Sequence, residues 1–229
     1  LLTGIGVKPE LIEIYADVAF INTPASGERA KEILAEHGVS PEKECIGVNV
    51  NSYIDLWLRR SESLDRERFT AEMAGALDRS IEELKAPVVF LITQVMDIKI
   101  ADEIRGRMKH GEASPVISNR RYSNREVMAV MGRTSLFIGM RLHSLILASA
   151  MDAPVLGLAY APKVRHFMRM LGAEDLIFEL DRITAESLSG AITDAWGRRN
   201  EIREQIRPSL EESKNKAREA FTVFKKRFL

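Results

Sequence analysis

The sequence has few of the features that mark several large classes of protein. It contains a single cysteine, Cys45, so no disulfide can form within the chain, and no Cys/His pattern is spaced for zinc. Its 33 Lys and Arg side chains balance 33 Asp and Glu, which leaves no basic footprint for nucleic acid or for an anionic membrane. Apolar runs such as residues 87–92 and 145–151 are far shorter than the ~18 residues of a membrane span. We therefore expect a soluble cytoplasmic protein with no integral membrane segment and no nucleic-acid partner.

Hydrophobic residues make up 45% of the 229-residue chain, enough for a packed core, and their spacing alternates between two patterns. Short apolar or β-branched runs predict six strands, at residues 45–50, 87–93, 115–118, 134–139, 154–158 and 176–180. Helical periodicity predicts helices between them, over residues 63–85, 97–108, 123–132, 141–151 and 162–171. This alternation predicts an α/β fold, a Rossmann-like parallel sheet with helices on both faces.

The two ends of the chain depart from this alternation. Residues 1–40 are too few for a core of their own, and we assign them as an N-terminal segment or inter-domain linker, the remnant of a preceding domain. Residues 41–184 are the predicted Rossmann-like domain. Residues 185–229 are predicted to form an amphipathic helical extension with a break near Pro208. Because the chain starts at Leu1 and not at Met, we expect a processed product or part of a longer polypeptide.

Ligands of an open parallel sheet bind beyond the carboxyl ends of its strands, so the turns there supply the candidate site. After the fourth strand, Arg141, His143 and Ser144 come at a helix N-terminus, where backbone N–H groups and the helix dipole favour an anion. An arginine can grip a phosphate or carboxylate by a bidentate fork, and a histidine can carry a proton at neutral pH. Neighbouring turns add further polar candidates for substrate binding: Asn49, Asn51, Gln94, Tyr160 and Lys163. The sequence therefore predicts a site for a small phosphorylated or carboxylated molecule.

Each of these residues also has an ordinary structural interpretation. A histidine at a helix start often serves only as a cap or as a hydrogen-bonded core residue, and an arginine commonly forms a surface ion pair. Lys163 can simply be solvated in the first turn of its helix. Asn49 and Asn51 can satisfy only the backbone groups of their own turns. The residues by themselves leave these alternatives open.

Four stretches of the sequence carry motifs of a known family. Residues 139–148 (GMRLHSLILA) and 154–164 (PVLGLAYAPKV) are similar to an R-L-H segment before an apolar helix, followed by a P-V strand and a Y-x-P-K-like turn. Residues 17–20 (DVAF) are similar to a D-P-A-F element, and residues 46–50 (IGVNV) to a strand that opens the second half of the family's fold. In these features the chain resembles the polysaccharide pyruvyl transferase family. The resemblance covers nearly the whole chain and is most specific between Gly139 and Val164.

The resemblance implies a cytoplasmic enzyme with a two-domain, glycosyltransferase-B-like architecture, of which this chain is similar to the C-terminal half. Family members transfer the enolpyruvyl unit of phosphoenolpyruvate to a saccharide in cell-surface polysaccharide biosynthesis, which forms a pyruvate ketal and releases phosphate. By this resemblance His143 is the catalytic histidine with Arg141 beside it, and Tyr160 and Lys163 line the cleft. The expected acceptor is a saccharide or a lipid- or nucleotide-linked sugar. No metal and no other cofactor is expected.

Two positions depart from the family pattern, and two other functions stay open. Asn51 stands where some members have Arg, and Asp17 lacks the proline that usually follows it. The first alternative is a sugar-nucleotide-dependent glycosyltransferase or epimerase, against which counts the lack of Asp or Glu in the Tyr160 turn to bind a ribose. The second is a non-catalytic saccharide-binding or assembly domain, against which counts the presence of both Arg141 and His143. An N-terminal half or a second copy of the chain is the expected protein partner.

Overall fold

A six-stranded, all-parallel β-sheet forms the centre of the molecule. The computed structural model describes residues 2–52 and 65–228. The strands are β1 (Ile46–Asn49), β2 (Val88–Ile92), β3 (Val116–Ser118), β4 (Leu136–Gly139), β5 (Val155–Ala159) and β6 (Ile177–Glu179). Their order across the sheet is β3-β2-β1-β4-β5-β6, and each neighbouring pair runs parallel. The order reverses between β1 and β4, the point at which such sheets bind their ligands.

Helices cover both faces of this sheet. Those within the described residues are α1 (Gly27–Glu36), α2 (Arg66–Leu84), α3 (Ile98–Arg107), α4 (Asn124–Met131), α5 (Leu142–Ala150), α6 (Pro162–Met170), α7 (Ala185–Gly197) and α8 (Arg199–Phe228). Helices α3 and α7 both pack on α2, while α1, α4, α5 and α6 form a second contiguous row. Two rows are expected when right-handed crossovers reverse direction at the point between β1 and β4. The predicted Rossmann-like α/β fold is therefore confirmed.

The strands are apolar throughout because helices cover them on both sides. Every residue of β1, β2, β4 and β5 is buried, as the continuous Val, Ile and Leu runs predicted. At the end of β4, a Cβ on Gly139 would lie 2.6 Å from Cδ2 of Leu145 in α5. Glycine at this position therefore allows α5 to begin directly beyond the end of the strand.

The long C-terminal stretch differs from its prediction. It forms two helices that meet at Arg198, and α8 continues through Pro208 without a break. The predicted break near Pro208 is therefore wrong. Ile206 and Leu210, on either side of the proline, are both buried, and their packing holds the helix together where one backbone hydrogen bond is lost. The helix predicted over residues 63–85 is α2, and its first two predicted positions lie outside the described residues.

The N-terminal segment packs on the sheet and its helices. A short 3-10 turn at Val18–Ile21, called here the 18–21 turn, contacts α5 and α8. Its Phe20 is only 4% exposed, with its ring centroid 6.2 Å from that of Phe167 in α6. Helix α1 packs against α4. The division of the chain at residues 40 and 184 stays a prediction. Within the part of the chain that the structure describes, no helix is long and apolar enough to cross a membrane.

Candidate active site

A cleft of about 280 Å³ opens at the carboxyl end of the sheet. Four of the predicted site residues line it, namely Gln94 after β2, Arg141 and His143 after β4, and Lys163 after β5. Its other lining residues are Ala19, Asn22, Thr93, Asn124, Leu142 and Leu147. The turns of three different strands therefore converge on one cleft, together with the end of the 18–21 turn.

Asn49 and Ser144 support the start of α5 and are not among the residues that line the cleft. Asn49 is buried at the end of β1, and its Nδ2 donates to the carbonyl of Leu91 at 2.8 Å. Its Oδ1 accepts from the backbone N–H of Arg141 at 3.2 Å and from the hydroxyl of Ser144 at 3.0 Å. These bonds tie β1, β2 and the β4–α5 turn together. Asn51 is likewise buried, and it too is absent from the cleft lining.

Arg141 is held by a buried carboxylate that sequence reasoning missed. Its Nε and Nη2 both donate to the carboxylate of Asp97, the bond from Nη2 to Oδ1 measuring 2.7 Å. Asp97 is fully buried, and its Oδ1 also accepts from the backbone N–H of Ser52 at 2.8 Å. The Arg141 side chain is 16% exposed. Its bidentate geometry is the one predicted for a ligand anion, but here a carboxylate of the protein occupies that edge of the guanidinium.

One feature of the sequence points to Asp97, namely its place shortly after a predicted strand. It is an acidic residue that follows the end of β2 by a few positions, within the apolar stretch 95–100 (VMDIKI). Because β2 and β4 flank β1 on its two sides, the turns after β2 and β4 converge over the end of β1. A carboxylate in the first turn is therefore placed to meet a guanidinium in the second. The strand order, which the sequence does not supply, is what identifies Asp97 as the partner of Arg141.

His143 faces the cleft with a carboxylate beside it. Its Nε2 lies 3.3 Å from Oδ2 of Asp17, and the two side chains are 64% and 37% exposed. The other carboxylate oxygen, Oδ1 of Asp17, accepts from the backbone N–H of Ala19 at 2.9 Å and caps the 18–21 turn. Asp17 belongs to the predicted D-P-A-F-like element, but its contact with His143 did not follow from the sequence.

A further positive charge comes from the start of α6. Lys163 is exposed, and its Nζ lies 5.5 Å from the ring centroid of Tyr160. Lys163 makes no ion pair with any residue in 2–52 or 65–228. Tyr160 is half-buried and supports the lysine from outside the cleft lining. The lysine is thus available to an anion in the cleft.

Two of the helices that start at the cleft, α5 and α6, have no side-chain cap. Neither α5 nor α6 has its first N–H groups bonded by a capping side chain, whereas α1, α2, α4 and α7 are capped by Ser26, Asp65, Ser123 and Thr184. Backbone N–H groups at a helix start attract anions. Among the described residues, no three His, Cys, Asp or Glu side chains are grouped as metal ligands. The arrangement can hold an anion beside the imidazole of His143.

Comparisons with known proteins give a family and a fold. A family model described as polysaccharide pyruvyl transferase matches residues 1–162. No curated protein matches the chain. Among solved structures, the glycosyl transferase family 9 protein from Veillonella parvula is 18% identical, with 86% of this chain and 58% of that one covered at a TM-score of 0.54.

Two further solved structures give the same result. The ADP-heptose lps heptosyltransferase II of E. coli is 12% identical, with 77% of this chain and 53% of that one covered and a TM-score of 0.56. WaaG, a glycosyltransferase involved in lipopolysaccharide biosynthesis, is 15% identical, with 94% and 57% covered and a TM-score of 0.54. Likeness at such identities shows the fold alone. The chain spans between 53% and 58% of the length of these three structures.

Proposed function

Because this chain belongs to the polysaccharide pyruvyl transferase family, we propose that it transfers the pyruvyl unit of phosphoenolpyruvate to a saccharide as a ketal. One observation carries the proposal. A single cleft brings together the imidazole of His143, which has the carboxylate of Asp17 beside it, and the ammonium of Lys163. An acidic proton donor and a cation are what addition to an anionic enol ether requires.

The reaction makes two C–O bonds at one carbon. A saccharide hydroxyl adds to C2 of phosphoenolpyruvate while a proton is delivered to C3, and the double bond becomes a methyl group. Phosphate then leaves C2 with the electrons of its C–O bond. A second hydroxyl of the same saccharide adds to C2 and releases its proton, which closes the ketal. Each hydroxyl gives up one proton: one replaces the proton that was delivered to C3, and the other leaves with the phosphate. Protons and electrons therefore balance without an oxidant or a reductant.

His143 is the proton donor in this proposal. Its imidazole is exposed to the cleft, and general acid catalysis of this kind contributes about 10²–10⁴-fold to a rate. Asp17 acts as a positioning residue, whose carboxylate contacts Nε2 of His143 and keeps the ring directed into the cleft. This arrangement supports proton delivery to C3 in the first step.

The donor's negative charges are assigned to the other wall of the cleft. Lys163 and the backbone N–H groups at the start of α5 would hold the phosphate or carboxylate and stabilise the departing anion. Arg141 lines the cleft directly before α5, in a position that its bonds to Asp97 set. Gln94 adds a neutral hydrogen-bonding group after β2.

Calorimetric titration tests the donor assignment. We expect saturable binding of phosphoenolpyruvate that weakens about 10–100-fold in Lys163→Ala, the loss of one charge-assisted contact of ~1.5–3 kcal/mol. Lys43→Ala is the matched control. Lys43 is exposed just before β1, at the amino end of the strands, whereas the cleft lies at their carboxyl end. Binding of UDP or UDP-sugars without phosphoenolpyruvate binding would favour the glycosyltransferase alternative.

Turnover of His143→Ala tests the catalytic assignment. Phosphate release with a panel of saccharide acceptors should fall by ~10²–10⁴-fold while the Kd for phosphoenolpyruvate stays within about twofold. Unchanged turnover in a folded His143→Ala variant would remove the histidine from the mechanism. Weaker donor binding with unchanged turnover at saturation would make it a binding group.

A further inference from the structure

A second cavity of about 370 Å³ adjoins the cleft beside α4, and it is called here the α4 cavity. The cleft and the α4 cavity share three lining residues, Asn22, Asn124 and Leu147. Leu147 follows His143 by one helical turn of α5, so the shared wall begins next to the imidazole. Arg141 and Lys163 line the cleft and are not among the residues that line the α4 cavity. The two spaces therefore meet one helical turn from His143, and Arg141 and Lys163 belong to the cleft alone.

Two amide side chains form the shared wall. Asn22 and Asn124 are both exposed, and neither side chain makes a hydrogen bond with another residue in 2–52 or 65–228. Asn124 is also not needed as a helix cap, because Ser123 and Glu126 complete a capping box at the start of α4. Each amide offers two N–H donors and a carbonyl acceptor. That combination matches the hydroxyl groups of a sugar, which both donate and accept.

The backbone around these amides is held in place before any ligand binds. Nε of Arg125 donates to the carbonyl of Thr23 at 2.9 Å, and the backbone N–H of Ala25 donates to the carbonyl of Arg125 at 2.9 Å. These two bonds tie the segment after the 18–21 turn to the start of α4. They set the position of Asn22 relative to Asn124. Ligand binding therefore does not lose free energy in ordering this part of the backbone.

Besides the two amides, the α4 cavity is lined by two apolar side chains, a threonine and an arginine. Met128 and Leu147 are buried side chains that line it, and they offer a surface for the C–H face of a sugar ring. Among the described residues that line the α4 cavity, none is Asp or Glu, and Arg125 is the ionisable one. A concave site that combines apolar side chains with a few convergent polar groups suits a small molecule that has both C–H and hydroxyl surface.

We propose that the α4 cavity is the acceptor subsite and binds one saccharide unit through hydroxyl contacts with Asn22 and Asn124. The inference rests on the proposed function and deepens it. The saccharide enters from the α4 side and the anionic donor from the α6 side, so that the reacting hydroxyl and C2 of the donor meet beside His143. Both hydroxyls that form the ketal belong to the sugar held in the α4 cavity.

Ligand-observed saturation-transfer NMR on the full chain tests the subsite. The probes are the methyl glycosides of glucose, galactose, mannose and N-acetylglucosamine, each measured with phosphoenolpyruvate present. We expect saturation transfer to at least one glycoside, reduced more than about fivefold in Asn22→Ala and in Asn124→Ala. Asn124→Asp should behave like Asn124→Ala and keeps the fold, because an acidic residue is favoured in the first turn of a helix.

Controls separate this subsite from the donor site. Asn215→Ala, an exposed asparagine of α8, and Lys163→Ala should leave the glycoside signal unchanged. The Kd for phosphoenolpyruvate should stay within about twofold in both asparagine variants, and inorganic phosphate should compete with phosphoenolpyruvate but not with the glycoside. Far-UV circular dichroism checks that each variant is folded.

The outcomes distinguish failure of the subsite from failure of the proposed function. Two results would overturn the subsite and leave the donor assignment standing. In both, phosphoenolpyruvate binds normally, and the glycoside signal is either absent or unchanged in Asn22→Ala and Asn124→Ala. Displacement of the glycoside by inorganic phosphate also overturns it, because the α4 cavity would then be an anion site. Asparagine-dependent glycoside binding without phosphoenolpyruvate binding keeps the subsite and removes the proposed donor.

Discussion

The guanidinium of Arg141 and the carboxylate of Asp97 stabilise each other at a position where either charge alone would be costly. Asp97 is fully buried and Arg141 largely so. We therefore expect Arg141→Ala and Asp97→Ala each to lower the free energy of unfolding by about 3–5 kcal/mol, since each leaves a charge without its partner. The Arg141→Ala/Asp97→Ala double variant should lose less than the sum of the two. Urea denaturation of the four proteins measures this, and additive losses would contradict the coupling.

Asp17 allows its charge to be separated from its structural role. Asparagine caps a turn as well as aspartate does, so Asp17→Asn keeps the bond to the backbone N–H of Ala19 while removing the charge beside His143. We expect kcat to fall about fivefold to tenfold, which corresponds to an exposed charge interaction of ~1 kcal/mol, with the Kd for phosphoenolpyruvate unchanged.

Steady-state kinetics and calorimetry on the same preparation measure the Asp17→Asn effect. Asp65→Asn provides the matched control, because Asp65 caps α2 in the same way and is absent from the lining of the cleft. A variant with full kcat would show that the Asp17 carboxylate contributes only its capping bond.

At the scale of single elements, α1 and α4 are joined through Glu126. Its carboxylate accepts from Nε of Arg29 at 2.9 Å and from the backbone N–H and hydroxyl of Ser123, both at 2.8 Å. These hydrogen bonds, that of Arg29 above all, lower the pKa of Glu126 from 4.5 to about 2. Because the folded protein favours the charged form, the stabilisation is complete above about pH 4.5 and is lost as the pH falls towards 2.

Glu126→Gln should reveal this pH dependence. We expect a loss of about 1 kcal/mol of stability at pH 7, kept small by the partial exposure of the pair, and a difference from the wild type that closes between about pH 4.5 and pH 2. Thermal unfolding at several pH values measures it. Glu32→Gln is the control, since Glu32 pairs with the same Arg29 but is far more exposed. A difference that stays constant with pH would contradict the assignment.

The 18–21 turn is anchored by one aromatic side chain. Phe20 packs in the core beside Phe167, and Phe20→Ala removes most of that buried surface. We expect a loss of about 3–5 kcal/mol in the free energy of unfolding. Val18→Ala in the same turn should change stability by less than about 0.5 kcal/mol, because Val18 is 58% exposed. Urea denaturation of both variants measures the contrast, and equal losses would show that the turn is not anchored through Phe20.

Elements were easier to predict from the sequence than contacts. The strands could be recognised because a parallel sheet covered on both faces needs continuous apolar runs, and the sequence supplies them. Asn49 could not be assigned in the same way. A polar residue after a strand serves a ligand or the backbone, and only the neighbouring strands determine which. Here the carbonyl of Leu91 and the turn at Arg141 occupy its side chain.

Across the whole molecule, the strand order determines which turns form the site. The sequence predicted six parallel strands but not their order, because apolar runs do not identify their own neighbours. The observed order puts β1 between β2 and β4, which brings the turns with Asp97 and Arg141 together. His143 and Lys163 were predicted to share a crevice, and both line the cleft. Asp17 and Asn22 escaped prediction because the N-terminal segment reaches the cleft through tertiary packing alone.

The expected protein partner, an N-terminal half or a second copy of the chain, stays a prediction. What the molecule does provide is a cleft whose walls come from the N-terminal segment as well as from the sheet domain. A site assembled in this way depends on the packing of residues that are remote in the chain. Stability and activity should therefore be measured together in variants of the N-terminal segment.

The 18–21 turn is more sensitive to its length than to its composition. Asp17 at its start lies beside His143, and Asn22 at its end lines the shared wall of the α4 cavity. Four residues separate the two, and a side chain such as Val18 that faces solvent can change freely. The insertion or deletion of one residue would instead rotate one end of the turn relative to the other, and either the carboxylate or the amide would leave its place. Among related sequences, we accordingly expect residues 17–22 to vary at their exposed positions and to contain no insertions or deletions.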